Sequence, residues 1–318
     1  MKIRGFEFNL RELAGSMGDM GTFFPLAVGY FAVCGVDPCG LLVMMGLANI
    51  ATGLVYRLPM PIEPMKVVAV VAIAQKWPEE LVSAAGIGIG IAWIVFTLTG
   101  IIRWIAAVTP VSVVRGIQSA LGVMLAYQGA RMIGGGIEQW ILGIISIIIV
   151  LTLRTNKYAP AAIVLVAGGV AIMYFKGSLS GLPPAQFELP QFRVPSAADV
   201  WTTFLLAGIA QLPLTATNAV IATSDTISKL FPGRKVSVTS LSGSHAAMNI
   251  VSPLFGGMSM CHGVGGLAGQ HHYGARTGGT NIIEGLIEIG FGVFLAAGIA
   301  SVFSDFPQPI IGAMMFLV

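Results

Sequence analysis

The chain has 318 residues, of which 55% are hydrophobic and only 10% charged, with 41 glycines. A soluble domain is usually about 25% charged, so this composition excludes a soluble enzyme and points to an integral membrane protein with little soluble mass. The net charge of +3 is spread over short loops, which gives no basic patch for nucleic acid.

At the start, Lys2, Arg4, Glu7, Arg11 and Glu12 crowd the region where a secretory leader would carry its apolar core, so no cleaved signal is expected. Apolar stretches then fall at about 13–35, 40–56, 65–75, 82–107, 110–130, 138–153 and 159–175. A polar connection follows from Gly177 to Ala198, with Pro183, Pro184, Pro190 and Pro195. Beyond it lie about 199–228, 236–254, 262–272, 281–303 and a last run opening at Pro307. Cys34, Cys39 and Cys261 sit at apolar positions without a paired spacing, so they read as small apolar filling.

The stretch from Arg57 to Ile73 departs from regular helix. Pro59, Pro61 and Pro64 each lack an N–H and push their predecessors towards extended geometry. The apolar run after Pro64 is too short to cross a bilayer, which needs about 20 residues. It reads as an extended segment that enters the membrane and starts a half-helix near its middle. The free N–H groups and partial positive charge of that helix start, with Lys66 beside them, make an anion site.

A second copy lies in the other half of the chain. Asn49-Ile-Ala-Thr-Gly-Leu-Val-Tyr-Arg-Leu-Pro-Met60 aligns with Asn249-Ile-Val-Ser-Pro-Leu-Phe-Gly-Gly-Met-Ser-Met260, and Cys261-His262-Gly-Val-Gly-Gly-Leu-Ala-Gly-Gln270 again follows a break with a short apolar piece. Paired interruptions at matching places in two halves mark a transporter binding site at the midplane. Seven segments precede the connection, an odd number, so the second repeat is expected to be inverted in the membrane. With the N-terminus inside, Lys2, Arg4, Arg11, Arg57, Arg103, Arg115, Arg154, Lys157, Lys229, Arg234, Lys235 and Arg276 are cytoplasmic. Lys76, Arg131, Lys176 and Arg193 are external. Five segments are visible in the second repeat and the sequence stops inside an apolar run, so further helices are expected after Val318. The expected division is a first repeat over 1–198 and a second over 199–318. A core would comprise 1–107 and 199–303, and a gate 108–176 and 304–318.

Lys66 in an apolar span either pairs with Glu63 or Asp19 or draws an anion to the half-helix start. Gly263, Gly265 and Gly266 let backbone approach a ligand, or pack tightly against a neighbouring helix. His262 is a candidate donor and proton carrier or a packing residue. Asp19 and Glu63 are candidate proton carriers, because a carboxylate held away from water can take up a proton near neutral pH. Gly18-Asp19-Met-Gly21-Thr22 with Pro25, and Gln211-Leu-Pro213-Leu-Thr215-Ala-Thr217-Asn218, read as polar walls beside the half-helices or as helix–helix contacts. Glu284 and Glu288 read as structural or interfacial. His245, His262, His271 and His272 do not place two ligands and an acid on one helical face, so no metal is read there. No nucleotide loop, nucleophile motif or cofactor is seen.

Pro59-Met-Pro-Ile-Glu-Pro-Met-Lys66, Gln211-Leu-Pro-Leu-Thr215 with Asn218-Ala-Val-Ile-Ala222, and Met260-Cys-His-Gly-Val-Gly-Gly-Leu-Ala-Gly-Gln270 with Gly274-Ala-Arg-Thr-Gly278 resemble the molybdate transporter family, a branch of the sulfate-permease superfamily. Gly18-Asp-Met-Gly-Thr22 also fits that family's first helix, and the likeness runs from about residue 11 to the end. The resemblance implies an all-α polytopic fold of seven plus seven membrane segments in inverted repeat, shared with nucleobase symporters. Such folds often dimerise. Substrate would lie between the two half-helix starts, among Asp19, Thr22, Glu63, Pro64, Met65, Lys66, Gln211, Thr215, Asn218, Cys261, His262, Gly263, Val264, Gly265 and Gly266. The family usually reads Gln where this chain has Glu63. The expected function is import of a tetrahedral oxyanion, molybdate, with tungstate or sulfate as further substrates, across the cell membrane by alternating access with proton coupling. A sulfate transporter of the same fold is the alternative, and an anion channel a more distant one.

Overall fold

The structure, a computed structural model, describes residues 2–3, 5–108, 110–153 and 161–317. The expected cytoplasmic residues Arg4, Arg154 and Lys157 lie outside the described residues, as does the start of the stretch expected at 159–175. Two short strands, β1 (Lys2–Ile3) and β2 (Phe6–Glu7), pair at the start of the chain. Asn9 then caps α1 (Leu10–Ser16), accepting from the Arg11 and Glu12 N–H groups. The sequence runs apolar from here to residue 35, yet the structure breaks it at Met17-Gly18-Asp19 before α2 (Met20–Gly29) and a π-helical turn over Tyr30–Cys34. The break brings Gly18 against the second half-helix, where a Cβ on Gly18 would overlap the Gln270 backbone.

Asp37 caps α3 (Pro38–Tyr56), with Pro38 at the first turn where its missing N–H costs nothing. After an extended passage come β3 (Glu63–Pro64) and the half-helix α4 (Lys66–Gln75). The long helix α5 (Glu79–Thr99) ends at Gly100, which adopts φ +69°, so the stretch expected at 82–107 is two elements, with α6 over Ile102–Val108. Three further helices follow: α7 (Val111–Ile133), α8 (Ile137–Leu153) and α9 (Ala161–Phe175).

Beyond the irregular connection, α10 (Ala197–Thr203), α11 (Ile209–Leu214) and α12 (Thr223–Leu230) form one span of 34 residues joined by π-helical turns at Phe204–Gly208 and Thr215–Ala222. Pro213 inside it withholds an N–H, and such π turns are frequent at functional sites. The chain continues through α13 (Val238–Val251), β4 (Met260–Cys261), the second half-helix α14 (Val264–Tyr273), α15 (Gly279–Ser304) and α16 (Gln308–Met314). The order long helix, strand, half-helix, long helix thus occurs twice, as α3-β3-α4-α5 and α13-β4-α14-α15.

Among the described residues, four helical spans are long and apolar enough to cross a membrane: Pro38–Tyr56, Glu79–Thr99, Ala197–Leu230 and Gly279–Ser304. The tightest packing is α3 against α15. It depends on glycine pairs: a Cβ on Gly46 would overlap the Gly285 carbonyl, and one on Gly53 the Gly278 carbonyl. In parallel, α13 lies on α5. Elsewhere α16 packs on α7 and α8, again through glycines at Gly129 and Gly312.

Candidate anion-binding site

The proline-rich passage and its counterpart meet as an antiparallel pair, Glu63 opposite Cys261 and Pro64 opposite Met260. Met65 N–H extends the pairing to Ser259 O at 3.0 Å. Because the strands are antiparallel, the half-helices that follow them leave in opposite directions with their N-termini side by side. Both starts are held by asparagine clamps. Asn281 donates to Met60 O (2.7 Å) and accepts from Met60 N–H (2.8 Å). Asn249 treats Met260 in the same way, at 2.8 and 2.9 Å. Asn49, the sequence counterpart of Asn249, supports Asn281 instead by accepting from its Nδ2 (3.0 Å).

The nominated residues differ in exposure. Thr22, Lys66, Asn218 and Val264 are half-buried and Gly265 is exposed. Asp19, Glu63, Pro64, Met65, Gln211, Thr215, Cys261, His262, Gly263 and Gly266 are buried. Lys66 keeps 34% of its side chain exposed and lies 3.9 Å from Glu63, a loose pair that leaves its ammonium free for a second anion. Gln211 is committed: its Oε1 accepts from Val67 N–H in the first turn of α4 (2.8 Å), while its Nε2 donates to Thr215 Oγ1 (2.7 Å). That bond caps one free donor of the half-helix and leaves the neighbouring Lys66 and Val68 N–H groups available.

Two readings of the sequence shift. The close approach at Gly263 and Gly266 is to the chain's own Glu63, because a Cβ at either position would overlap its carboxylate. Glu63 therefore lies over the first turn of α14, facing the Gly266 N–H. His262 is buried and held on three sides. Its Nδ1 donates to Pro61 O (3.2 Å), its Nε2 meets Ser244 Oγ (2.7 Å), and its own N–H donates to His245 Nε2 (3.3 Å). These bonds tie the passage before β3 and the end of β4 to α13. Two contributors were not singled out in the sequence, Asn281 and Gln270, polar residues in apolar helices, while Glu284, read as structural or interfacial, is buried and shares Gln270 with Asp19. Their common signal is a lone polar group at one turn of an apolar span, which names no partner.

Comparison with known proteins agrees with this architecture. The family described as Molybdate transporter of MFS superfamily matches residues 11–125 and 203–318. The chain belongs to this molybdate transporter family. Molybdate transporter 2 of Arabidopsis thaliana is 28% identical over 96% of this chain and 76% of its own length, and Molybdate transporter 1 of the same plant is 27% identical over 98% and 78%. Among solved structures, the transmembrane domain of the cyanobacterial bicarbonate transporter BicA superposes with a TM-score of 0.73 at 17% identity, over 99% of this chain and 89% of that one. The murine anion transporter Slc26a9, in an inward-facing state, gives 0.74 at 12% identity, over all of this chain and 60% of that one. The fold of this family member is thus the BicA and Slc26a9 type, not an enzyme fold.

Proposed function

We propose that the protein imports a tetrahedral oxyanion, molybdate, across the cell membrane by secondary active transport. The observation that carries this reading is the meeting of two half-helix N-termini at the β3–β4 pair, with the half-exposed Lys66 ammonium at the junction. Membership of the molybdate transporter family supplies the substrate, and the relatives' names agree with it. Lys66, the Lys66 and Val68 N–H groups, Thr22, Asn218 and the exposed start of α14 at Val264 and Gly265 contact the anion. Glu63 and Asp19 set the charge around it, and Gln211, Thr215, Asn249 and Asn281 hold the half-helices in place.

Alternating access moves a core of residues 1–107 and 199–303 against a gate of 108–176 and 304–318, with the N-terminus cytoplasmic. A cavity of ≈ 460 Å³ lined by Lys76, Arg131, Gln128, Gln139 and Gln308 lies between the C-terminal end of α4 and the helices α7, α8 and α16. Two cations and three amides without an acid make it a suitable external approach for an anion.

Isothermal titration of the purified protein with molybdate, tungstate and sulfate tests the reading. Molybdate and tungstate bind, and Lys66→Ala weakens both by at least tenfold, since a charge-assisted contact is worth about 1.5–3 kcal/mol. Sulfate binding tighter than molybdate assigns the chain to sulfate instead, and unchanged binding in Lys66→Ala removes the lysine from the site.

A further inference from the structure

Four carboxyl groups lie buried together behind the junction: Asp19, Glu63, Glu284 and Glu288, none more than 4% exposed. Among the described residues, the single ion pair any of them makes is the loose contact of Glu63 with Lys66. One lysine cannot balance four negative charges away from water, where an uncompensated charge is costly. Two of them, Asp19 and Glu284, meet at a single amide. A carboxylate only accepts, so two of them served by one shared donor are left with unpaired oxygens unless a proton is taken up. Gln270 of the second half-helix spans the pair, its Nε2 donating to Asp19 Oδ2 (3.4 Å) and Glu284 Oε2 (3.2 Å). Gln270 Oε1, Asp19 Oδ1 and Glu284 Oε1 are buried and have no hydrogen-bond partner among the described residues. The cluster is thus made of acceptors that lack donors, which is the signature of a site that takes up protons.

We propose that Asp19 and Glu284 are a proton-sharing pair that loads one proton for each oxyanion carried. The proton comes from water on the entry side, resides on one carboxyl of the pair while the anion is bound, and leaves to water on the exit side. Its sign follows from charge. The pair lies behind Glu63, which itself faces the first turn of α14, so an unprotonated pair adds negative charge behind the anion and a protonated pair removes it. Binding of proton and anion is therefore mutually favourable.

The titratable groups around the pair are few. Glu63 faces it from β3, with Lys66 beyond on α4, and Glu288 lies one turn further along α15, accepting from Asn49 of α3 (2.9 Å). Glu7 and Glu12 of β2 and α1 turn elsewhere, the first to Asn9 and the second to the backbone of Arg276 and Thr277. Cys39 of α3 packs at the far end of α15, Tyr56 bonds to Ser240, and Tyr174 of α9 is exposed.

The proposal deepens the transport reading and rests on it for the anion, but the pair can be tested apart from it. Infrared spectra of the purified protein, recorded without substrate across pH, should show a protonated carboxyl stretch that titrates over the range of proton uptake, shifts on H/D exchange and is lost in Glu284→Gln and in Asp19→Asn, beside any constant band from Glu63 or Glu288. Titration with molybdate in two buffers of different protonation enthalpy should give about one proton taken up per anion bound, with affinity rising about tenfold per unit fall in pH over the range of uptake. In Glu284→Gln, which keeps the shape of the side chain, uptake falls to zero and affinity no longer changes with pH. A titrating carboxyl band that is unchanged in both variants, or proton uptake that survives Glu284→Gln, overturns the pair, as does a sodium requirement in place of the proton. A wild-type protein that binds no molybdate at any pH overturns the transport reading instead, and the infrared result still decides the pair.

Discussion

Glu63 places a carboxylate on the positive end of a half-helix that would otherwise be open to substrate. Gly263 and Gly266 leave no Cβ in its way, so the contact depends on two positions without side chains. Glu63→Gln preserves the shape and the oxygen facing Gly266, and it removes one negative charge from beside the anion while freeing Lys66. At an effective dielectric of about 20, like charges some 6 Å apart repel by about 3 kcal/mol. Even half of this gives about tenfold tighter molybdate binding at neutral pH. Titration of the variant should show that gain, and weaker binding would mean that Glu63 holds the junction together. The sequence left Lys66 either to pair with Glu63 or Asp19 or to draw an anion, and the structure places it 3.9 Å from Glu63. It did not show that Gly263 and Gly266 serve Glu63, because a glycine motif records only that something comes close. Nor did it show which way His262 turns, since Ser244 and His245, its partners, lie on another helix.

The half-helices depend on side chains that come from elsewhere in the fold. Extended backbone between prolines cannot satisfy its own N–H and C=O groups inside a membrane, so each must find a partner. Asn249 and Asn281 meet that need at Met260 and Met60 with two bonds each. Replacing either by Ala leaves a buried N–H and a buried C=O unpaired, at about 1–3 kcal/mol for each group. Asn281→Ala and Asn249→Ala should each lower the unfolding temperature in detergent and weaken molybdate binding, because the strand pair that aligns the helix starts loosens. A variant that melts as the wild type does and binds normally would show that water or a neighbouring chain replaces the clamp. Both half-helices were legible in the sequence, because prolines and a short apolar run are local signals. Asn249 was aligned with Asn49 in the repeat, but its clamp on Met260 was not legible, since Asn49 bonds to Asn281 instead. The break at Met17-Gly18-Asp19 was not legible either, because it answers to Gln270 across the molecule, and Gly18 in an apolar run reads equally well as helix. The end of α5 at Gly100 was missed for a related reason: hydropathy continues through the turn, and only the positive φ reveals it.

For the whole molecule the question is what drives a dianion inward. Each negative charge moved against an inside-negative potential costs about 2.3 kcal/mol per 100 mV, so a carrier working downhill on the anion alone would empty the cell of it. In the proposed mechanism a proton bound at the Asp19–Glu284 pair crosses with the core and lowers the charge moved. It also adds the free energy of the pH gradient, about 1.4 kcal/mol per unit. Proteoliposomes clamped at zero potential isolate that contribution. With an inward proton gradient of one unit, labelled molybdate should accumulate about tenfold for each coupled proton, since 1.4 kcal/mol is a factor of ten in concentration. The steady-state ratio thus counts the protons directly. Accumulation that ignores the gradient, at any size of the step, would leave the buried carboxyl groups as structural elements and the protein as a facilitator for its anion. A conductance far above carrier turnover in a planar bilayer would go further and make it a channel. The tenfold ratio, lost in Glu284→Gln while molybdate still exchanges across the membrane, is the result that ties the buried pair to transport.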